Sequence, residues 1–312
     1  VDLERGVVLE EIAMRDDDPE DLVGDLLADA VFPEHPLGLP VIGSVESVET
    51  MTADQVGGFH RDTYRHPAMV LAVAGNIEHD VVVELARAST RADEAPGAVP
   101  QPIRSGRLDL PGRPREVVER RDGEQVHATI GVPTLGRDEG ELRWPLAVLN
   151  HAVGGGLSSR LFQEIRESRG LAYAVSSGRE TCADAGVFSV YAGCRPENLS
   201  AVSDQIGAVL DAVGRDGITE DECARSRGAL RGGMVLGLEE SGSRMSRLGA
   251  GELGRGKHVP LSESLDRIAA VTPGDVRAVA ETLLRRPRAV AVVGPYDAAD
   301  DLPAALRDLA GQ

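Results

Sequence analysis

The chain has 312 residues, a hydrophobic content of 42%, aromatic residues at only 3% and a formal net charge of −18. This length suits two domains of ordinary size, and no apolar run approaches the ~20 residues that a membrane span needs. The acidic balance argues against a nucleic-acid partner, and three cysteines without C-x-x-C spacing indicate neither a disulfide framework nor a zinc knuckle.

Residues 4–22 form the first predicted helical segment, since apolar residues recur there at helical spacing ahead of Pro19. Glu4 and Glu11 lie two turns apart on nearly the same face, whereas Glu10 is rotated by about 100° and is expected to face solvent. The first two carboxylates could bind a metal and orient its surroundings, or simply form a solvated acidic stripe. Because no capping signal precedes this helix, we expect the chain to be the larger part of a longer polypeptide.

Two stretches, residues 44–75 and 264–294, repeat the same order of elements at a constant offset of 220 residues. In each, a helix opened by threonine leads to a proline and then to a continuous apolar strand closed by glycine. The repeat predicts an α+β fold of two homologous domains, each a mixed sheet packed against helices. An alternating strand at 116–132 opens the second copy. Its counterpart would lie before residue 1, so the first domain is expected to be incomplete.

Residues 90–115 are rich in proline and glycine and show little periodicity. That composition is typical of an interdomain linker. We therefore predict the late part of a first domain at 1–95, a linker at 96–115 and a second domain at 116–312.

The stretch GGGLSSRLFQEIRESRGLAYAVSS, residues 154–177, holds the second group of candidate residues. A triple glycine can cradle phosphate, but no G-K-[ST] follows it, which argues against a P-loop. From Leu161 the pattern predicts an amphipathic helix that carries Arg166, and Tyr173 comes seven residues later. A guanidinium and a phenol converging on one point could bind a carbonyl oxygen or an oxyanion. The alternative is an ordinary surface arginine and a core tyrosine.

Four segments carry a family resemblance: VVLEEI near the start, HPLGLPVIGS at 35–44, VLAVAGNI at 70–77 and the stretch from Gly154. Together they resemble the pitrilysin and mitochondrial-processing-peptidase family of zinc metallopeptidases, the inverzincins. The resemblance covers nearly the whole chain and implies homologous α+β domains. Matched residue by residue, it makes Glu11 a metal ligand and Glu4 an acidic residue that supports the site. It also makes Arg166 and Tyr173 the pair that binds substrate and stabilises the tetrahedral intermediate.

One departure from the family pattern concerns histidine. No H-x-x-E-H, which supplies two metal ligands and a general base in this family, occurs among the seven histidines. Both the repeat and the family spacing place it in the segment expected to be missing. Zn²⁺ is therefore the implied cofactor of the longer parent, with weak or absent binding by this chain. His151, in the corresponding region of the second copy, and His35 are expected to be structural.

The resemblance implies a zinc endopeptidase that cleaves peptides or unfolded polypeptides, with the 312-residue chain itself inactive. An alternative is a non-catalytic structural or substrate-binding subunit of the same family beside an active partner. A nucleotide-binding protein using GGGLSS is a third interpretation, weakened by the missing lysine. Peptide is the expected partner, with no nucleic acid and no membrane. The resemblance also implies a homodimer or a heterodimer with a sister subunit. A cytoplasmic location is expected by default.

Overall fold

The structure, a computed structural model, describes residues 1–64, 68–89, 115–136, 142–183 and 185–311. The first two ranges contain five α-helices and no strand: α1 (Asp2–Asp17), α2 (Pro19–Val31), α3 (Val45–Thr50), α4 (Ala53–Thr63) and α5 (His79–Ser89). The break between α1 and α2 follows from the sequence. Asp18 is extended and accepts hydrogen bonds from the Glu20 and Asp21 amides, and Pro19 takes the first helical position.

A five-stranded mixed sheet organises the remainder of the described chain. Its strands are β1 (Glu116–Arg120), β2 (Val126–Leu135), β3 (Ala172–Thr181), β4 (Ala185–Cys194) and β5 (Ala289–Gly294), in the order β1-β5-β2-β4-β3. β1 and β5 pair in parallel, and the other pairs are antiparallel. The single strand predicted over 116–132 is therefore two strands, because the chain turns at 121–125 before β2 pairs with β5.

Seven α-helices lie in this part of the described chain: α6 (Arg143–Val153), α7 (Leu199–Asp216), α8 (Glu220–Gly237), α9 (Ser241–Arg255), α10 (Leu261–Ala270), α11 (Pro273–Leu283) and α12 (Ala304–Gly311). The main core lies between one face of the sheet and α6, α7, α11 and α12. With few aromatic residues available, it consists largely of valine, leucine, isoleucine and alanine. Phe188 is the largest side chain that is fully buried in it.

The opposite face of the sheet is covered by α2. Val23, Leu27 and Val31 of this helix pack against alternate residues of β5 and β4, including Ala291 and Val187. A helix from the part assigned by sequence to the first domain thus completes the core of the second. β5 is buried on both faces for this reason, which accounts for its uninterrupted apolar sequence.

The predicted duplication is visible in the helices. At the offset of 220 residues, α4 and α11 coincide, and both begin with a capping box, Thr52 with Gln55 and Thr272 with Asp275. The same offset relates α2 to α9. A Cβ placed at Gly249 of α9 would lie 3.3 Å from the Cβ of Ala72. Thus α9 contacts the apolar stretch 69–75 of the first copy, as α2 contacts its counterpart, β5.

The strand predicted at the end of the first copy is not formed, since residues 69–75 have no strand partner in the described part of the chain. Their counterpart β5 has β1 and β2 beside it, and neither has an equivalent among residues 1–64 and 68–89. An apolar stretch needs a neighbouring ladder to become a strand. Residues 65–67, which include the proline of the first repeat, and most of the predicted linker lie outside the described residues. The α+β prediction itself is confirmed.

Candidate functional site

Helix α1 carries Glu4, Glu10 and Glu11 on its solvent-exposed surface. Arg5 donates to the carbonyl oxygens of Glu49 at 3.1 Å and Met51 at 2.8 Å, and Arg15 pairs with Asp25 of α2 at 2.6 Å. These contacts and the buried Ile12 fix the helix against α3 and α2. The two candidates, Glu4 and Glu11, are exposed, and so is Glu10. The solvent exposure expected of Glu10 alone is therefore found for all three.

The described residues do not form a zinc site by themselves. No group of three or more His, Cys, Asp or Glu side chains in these ranges is close enough to hold a metal ion. Zinc sites in proteins use three or four protein ligands, so the lone Glu11 carboxylate does not fit zinc without further ligands. No described hydrogen bond or ion pair joins Glu4 or Glu11 to the second candidate pair.

The two singled-out histidines have structural contacts. His35 precedes a short 3-10 turn, and its Nδ1 accepts a hydrogen bond from the Leu37 amide at 3.2 Å. His151 of α6 makes a 3.1 Å hydrogen bond with Ser226 of α8, and burial lowers the pKa of its imidazole. His151 thus connects α6 with α8, whereas His35 caps the turn that follows it.

Arg166 lies on a short helix of π type, Phe162–Glu167, where the sequence predicted an ordinary amphipathic helix. The wider turn is visible in the bond from the Ser168 amide to the Gln163 carbonyl at 2.9 Å. Ile165 is buried beneath it. Arg166 is exposed, with its guanidinium carbon 5.2 Å from the centre of the Phe162 ring. Cation–π contact of this kind holds the side chain near the surface without consuming its hydrogen-bond donors.

Tyr173 stands where β3 begins. The register of β3 on β4 shifts between Ala172 and Ala174, so Tyr173 sits in a bulge and its side chain is 53% exposed. It is not the core tyrosine of the alternative interpretation. Its hydroxyl accepts a hydrogen bond at 3.3 Å from Nε of Arg195, a residue that the sequence did not single out. Arg195 follows β4 directly and reaches Tyr173 through strand pairing, which no local pattern could have indicated.

The triple glycine packs against β3. A Cβ at Gly154 would lie 2.4 Å from the backbone nitrogen of Ser177, and the Ser177 amide donates to the Gly154 carbonyl at 3.1 Å. At Gly155 a Cβ would meet the His151 Cα at 2.7 Å. Glycine is therefore required for close backbone approach at both positions. This packing explains the glycines without a phosphate.

The fold defines a class: α+β proteins in which helices cover both faces of a mixed sheet. A protease from Helicobacter pylori has a similar structure, with a TM-score of 0.83, 21% identity and coverage of 94% of this chain and 71% of that one. A peptidase M16 inactive domain from Pseudomonas fluorescens gives a TM-score of 0.77 at 19% identity, over 94% of this chain and 70% of that chain. At this identity the two comparisons establish the fold.

Sequence comparison gives the family. Residues 50–230 match the family described as the peptidase M16 inactive domain. A zinc protease of Mycobacterium tuberculosis is 50% identical over 311 residues, 100% of this chain and 71% of that protein. The zinc protease YmxG of Bacillus subtilis is 34% identical, over 94% of this chain and 70% of its own length. The chain belongs to the M16 peptidase family, which confirms the resemblance read from its motifs. None of the described helices has the length and apolar character needed to cross a bilayer.

Proposed function

We propose that this chain is part of a zinc metalloendopeptidase of the M16 type that acts on peptides or unfolded polypeptides. In this proposal Arg166 and Tyr173 bind the scissile carbonyl and the oxyanion formed from it. Glu11 is one metal ligand, and Glu4 supports it. The observation that carries the proposal is the pair of exposed donors on 166–173 in a chain 50% identical to a protein named a zinc protease.

The hydrogen bond from Arg195 determines how the Tyr173 hydroxyl can interact with a ligand. A phenol has one proton to donate, and it can accept hydrogen bonds through its lone pairs. Since Arg195 Nε donates to the Tyr173 oxygen, the phenolic proton is left to point elsewhere, toward an approaching acceptor. A positive charge at this distance also favours donation to a negatively charged oxygen.

A transition-state mimic tests the proposed role without requiring turnover. A phosphinic peptide carries the tetrahedral geometry and charge of the intermediate, and we expect the 312-residue chain to bind it more tightly than the matching amide peptide. Tyr173→Phe and Arg166→Gln should each reduce that preference about tenfold, because each removes a hydrogen bond to a charged oxygen. Tyr64→Phe, a second exposed tyrosine, is the matched control. Fluorescence anisotropy measures both peptides, and equal affinities in the unchanged chain would contradict the proposal.

A non-catalytic, substrate-binding subunit is the second candidate. It is favoured by the match of 50–230 to an inactive-domain family. In either case we expect this chain alone to bind zinc weakly and to hydrolyse no peptide. Activity that is lost with a chelator would overturn that expectation. The expected homodimer, or heterodimer with a sister subunit, is part of the same proposal.

A further inference from the structure

A cavity of about 260 Å³ lies between α2 and the outer strands of the sheet. α2 covers β5 and β2 with large apolar side chains, but toward β3 and β4 it presents Gly24 and Ala28. The strands below contribute small residues as well, among them Ser176 and Ser189. A Cβ at Gly24 would meet no heavy atom within 4 Å. The cavity therefore exists because both walls are built from small residues at the same place.

One hydroxyl in this cavity lacks a partner. Thr129 of β2 lines the cavity and is 5% exposed, yet its Oγ1 makes no hydrogen bond within the described part of the chain. Buried polar groups are nearly always paired, since an unpaired one loses its hydration without compensation. Thr129 Oγ1 has no accessible surface of its own, so a molecule in the cavity supplies the missing partner only if the side chain rotates toward the cavity.

Tyr191 forms the inner polar wall of the cavity. Its hydroxyl lies 2.8 Å from Nδ1 of His127, with which it makes a hydrogen bond. Burial and the Glu20 carboxylate raise the pKa of Tyr191, so this wall stays neutral.

The charges around the cavity have one sign. Glu20 and Glu180 belong to its lining, which includes no lysine, arginine or histidine. Glu180 is exposed, and neither carboxylate forms an ion pair with a described residue. An anionic ligand would be repelled here, whereas a cation with an apolar stem matches both the carboxylates and the Val23 and Leu27 wall.

We propose that this cavity is a side-chain pocket for a lysine or arginine of a bound peptide. The aliphatic stem lies against α2, and the cationic head reaches Glu180 and the hydroxyls of Thr129 and Ser176. This inference rests on the proposed function and adds a specificity pocket to it. Ser176 and Glu180 lie three and seven residues after Tyr173 on the same strand, which places them roughly 10 and roughly 23 Å along the strand from Tyr173 at about 3.3 Å per residue. An extended peptide spans this distance in about three to seven residues.

Peptide binding to the 312-residue chain tests the pocket directly. The probes are acetylated, fluorescently labelled decapeptides of Gly, Ala and Ser with one variable residue: arginine, lysine, norleucine, citrulline or glutamate. We expect arginine and lysine to bind at least tenfold more tightly than norleucine or citrulline, and glutamate most weakly. Glu180→Gln should remove most of that difference in affinity. Thr129→Val should weaken, severalfold, the binding of every peptide whose variable residue is polar.

Two matched controls separate the pocket from general effects. Gly24→Leu fills the cavity and should abolish the preference, whereas Gly24→Ala adds one methyl group at a helical position and should keep it. Glu84→Gln on α5 makes the same change in net charge as Glu180→Gln away from the cavity, and should leave the preference intact. Equal affinity for arginine and norleucine in the unchanged chain, or a preference that survives Gly24→Leu, overturns the proposal.

The outcome for the pocket is distinguishable from the outcome for the proposed function. Tyr173→Phe acts on the phosphinic preference and should not alter the ratio between arginine and norleucine peptides. If the ratio stands while the phosphinic preference is missing, the pocket is retained and the peptidase role of Tyr173 fails. If the phosphinic preference stands without the ratio, the pocket alone is wrong.

Discussion

Glu222 connects three parts of the molecule. Its carboxylate accepts two hydrogen bonds from Arg160, at 2.6 and 2.8 Å, and one from the Thr219 amide at 2.7 Å, which completes the capping box of α8. Arg160 belongs to the segment after the triple glycine and also donates to the Gly217 carbonyl. Burial raises the pKa of Glu222, but the hydrogen bonds and the charge of Arg160 outweigh it and lower this pKa to about 2.

A pH titration of stability measures this contribution. Because the folded-state pKa lies below the ordinary value of 4.5, the stabilisation is present above pH 4.5 and is lost as the pH falls toward 2. We expect the group to contribute on the order of 3 kcal/mol at neutral pH. The Glu222→Gln variant should therefore be less stable than the unchanged chain at pH 6, and it should lose less stability when the pH is lowered. Urea unfolding at a series of pH values measures both effects. Asp221→Asn, an exposed carboxylate of the same helical turn, is the control; parallel curves for Glu222→Gln and the unchanged chain would refute this.

The roles of the candidate residues stay predictions, whereas some of their contacts could not be predicted from sequence at all. The residue types and spacing of Arg166 and Tyr173 pointed to donors, and both side chains are exposed, as a site requires. Arg195 was missed because it meets Tyr173 only through the pairing of β3 with β4. Thr129 was missed too, because a threonine in an apolar strand is indistinguishable by sequence from any other β-branched residue. Pairings across a sheet depend on register, which local patterns do not specify.

At the scale of elements, α2 shows what amphipathicity can and cannot predict. Its apolar spacing indicates a buried face, but not which surface covers it. The structure places that face on β2 and β5, where Gly131 provides the space: a Cβ there would lie 2.9 Å from Cδ1 of Leu27 and 3.0 Å from Cγ2 of Val31. The shapes of helix and strand are thus complementary at this position, because the large Leu27 side chain packs against Gly131, which has no side chain.

A double-mutant cycle tests this match. Leu27→Ala should cost about 2–4 kcal/mol by leaving a cavity, and Gly131→Ala about 1–3 kcal/mol by overpacking. Since the truncated side chain makes room for the added methyl, the double variant should be more stable than the sum of the two by about 1 kcal/mol. Chemical denaturation gives all four values. The control cycle pairs Gly131→Ala with Leu22→Ala on the same helix and should be additive; additivity in the Leu27 cycle would show that α2 does not pack as described.

Across the whole molecule, the two copies of the repeat share a sequence pattern but differ in burial. Val276 of α11 is fully buried, at 0% exposure, whereas Val56 at the equivalent position of α4 is 41% exposed. The order of helices was predictable from the offset of 220 residues, and so was the α+β class. The missing strand at 69–75 was not, since a strand is a property of its neighbours as well as of its own residues.

Amide hydrogen exchange should report this difference between the copies. In β5 the amides belong to two ladders and lie beneath α2, so their exchange requires a large opening of the domain. Residues 69–75 have a similar apolar sequence but no described ladder, and Met69 and Leu71 are largely exposed. We expect peptides covering 69–75 to exchange at least ~100-fold faster than those covering 289–294 at one pH, as measured by mass spectrometry. Because the apolar content of the two stretches is alike, intrinsic strand preference alone predicts equal protection. Equal protection would therefore mean that residues 69–75 are hydrogen-bonded to a neighbouring strand. The difference in strand pairing between the two copies would then be wrong.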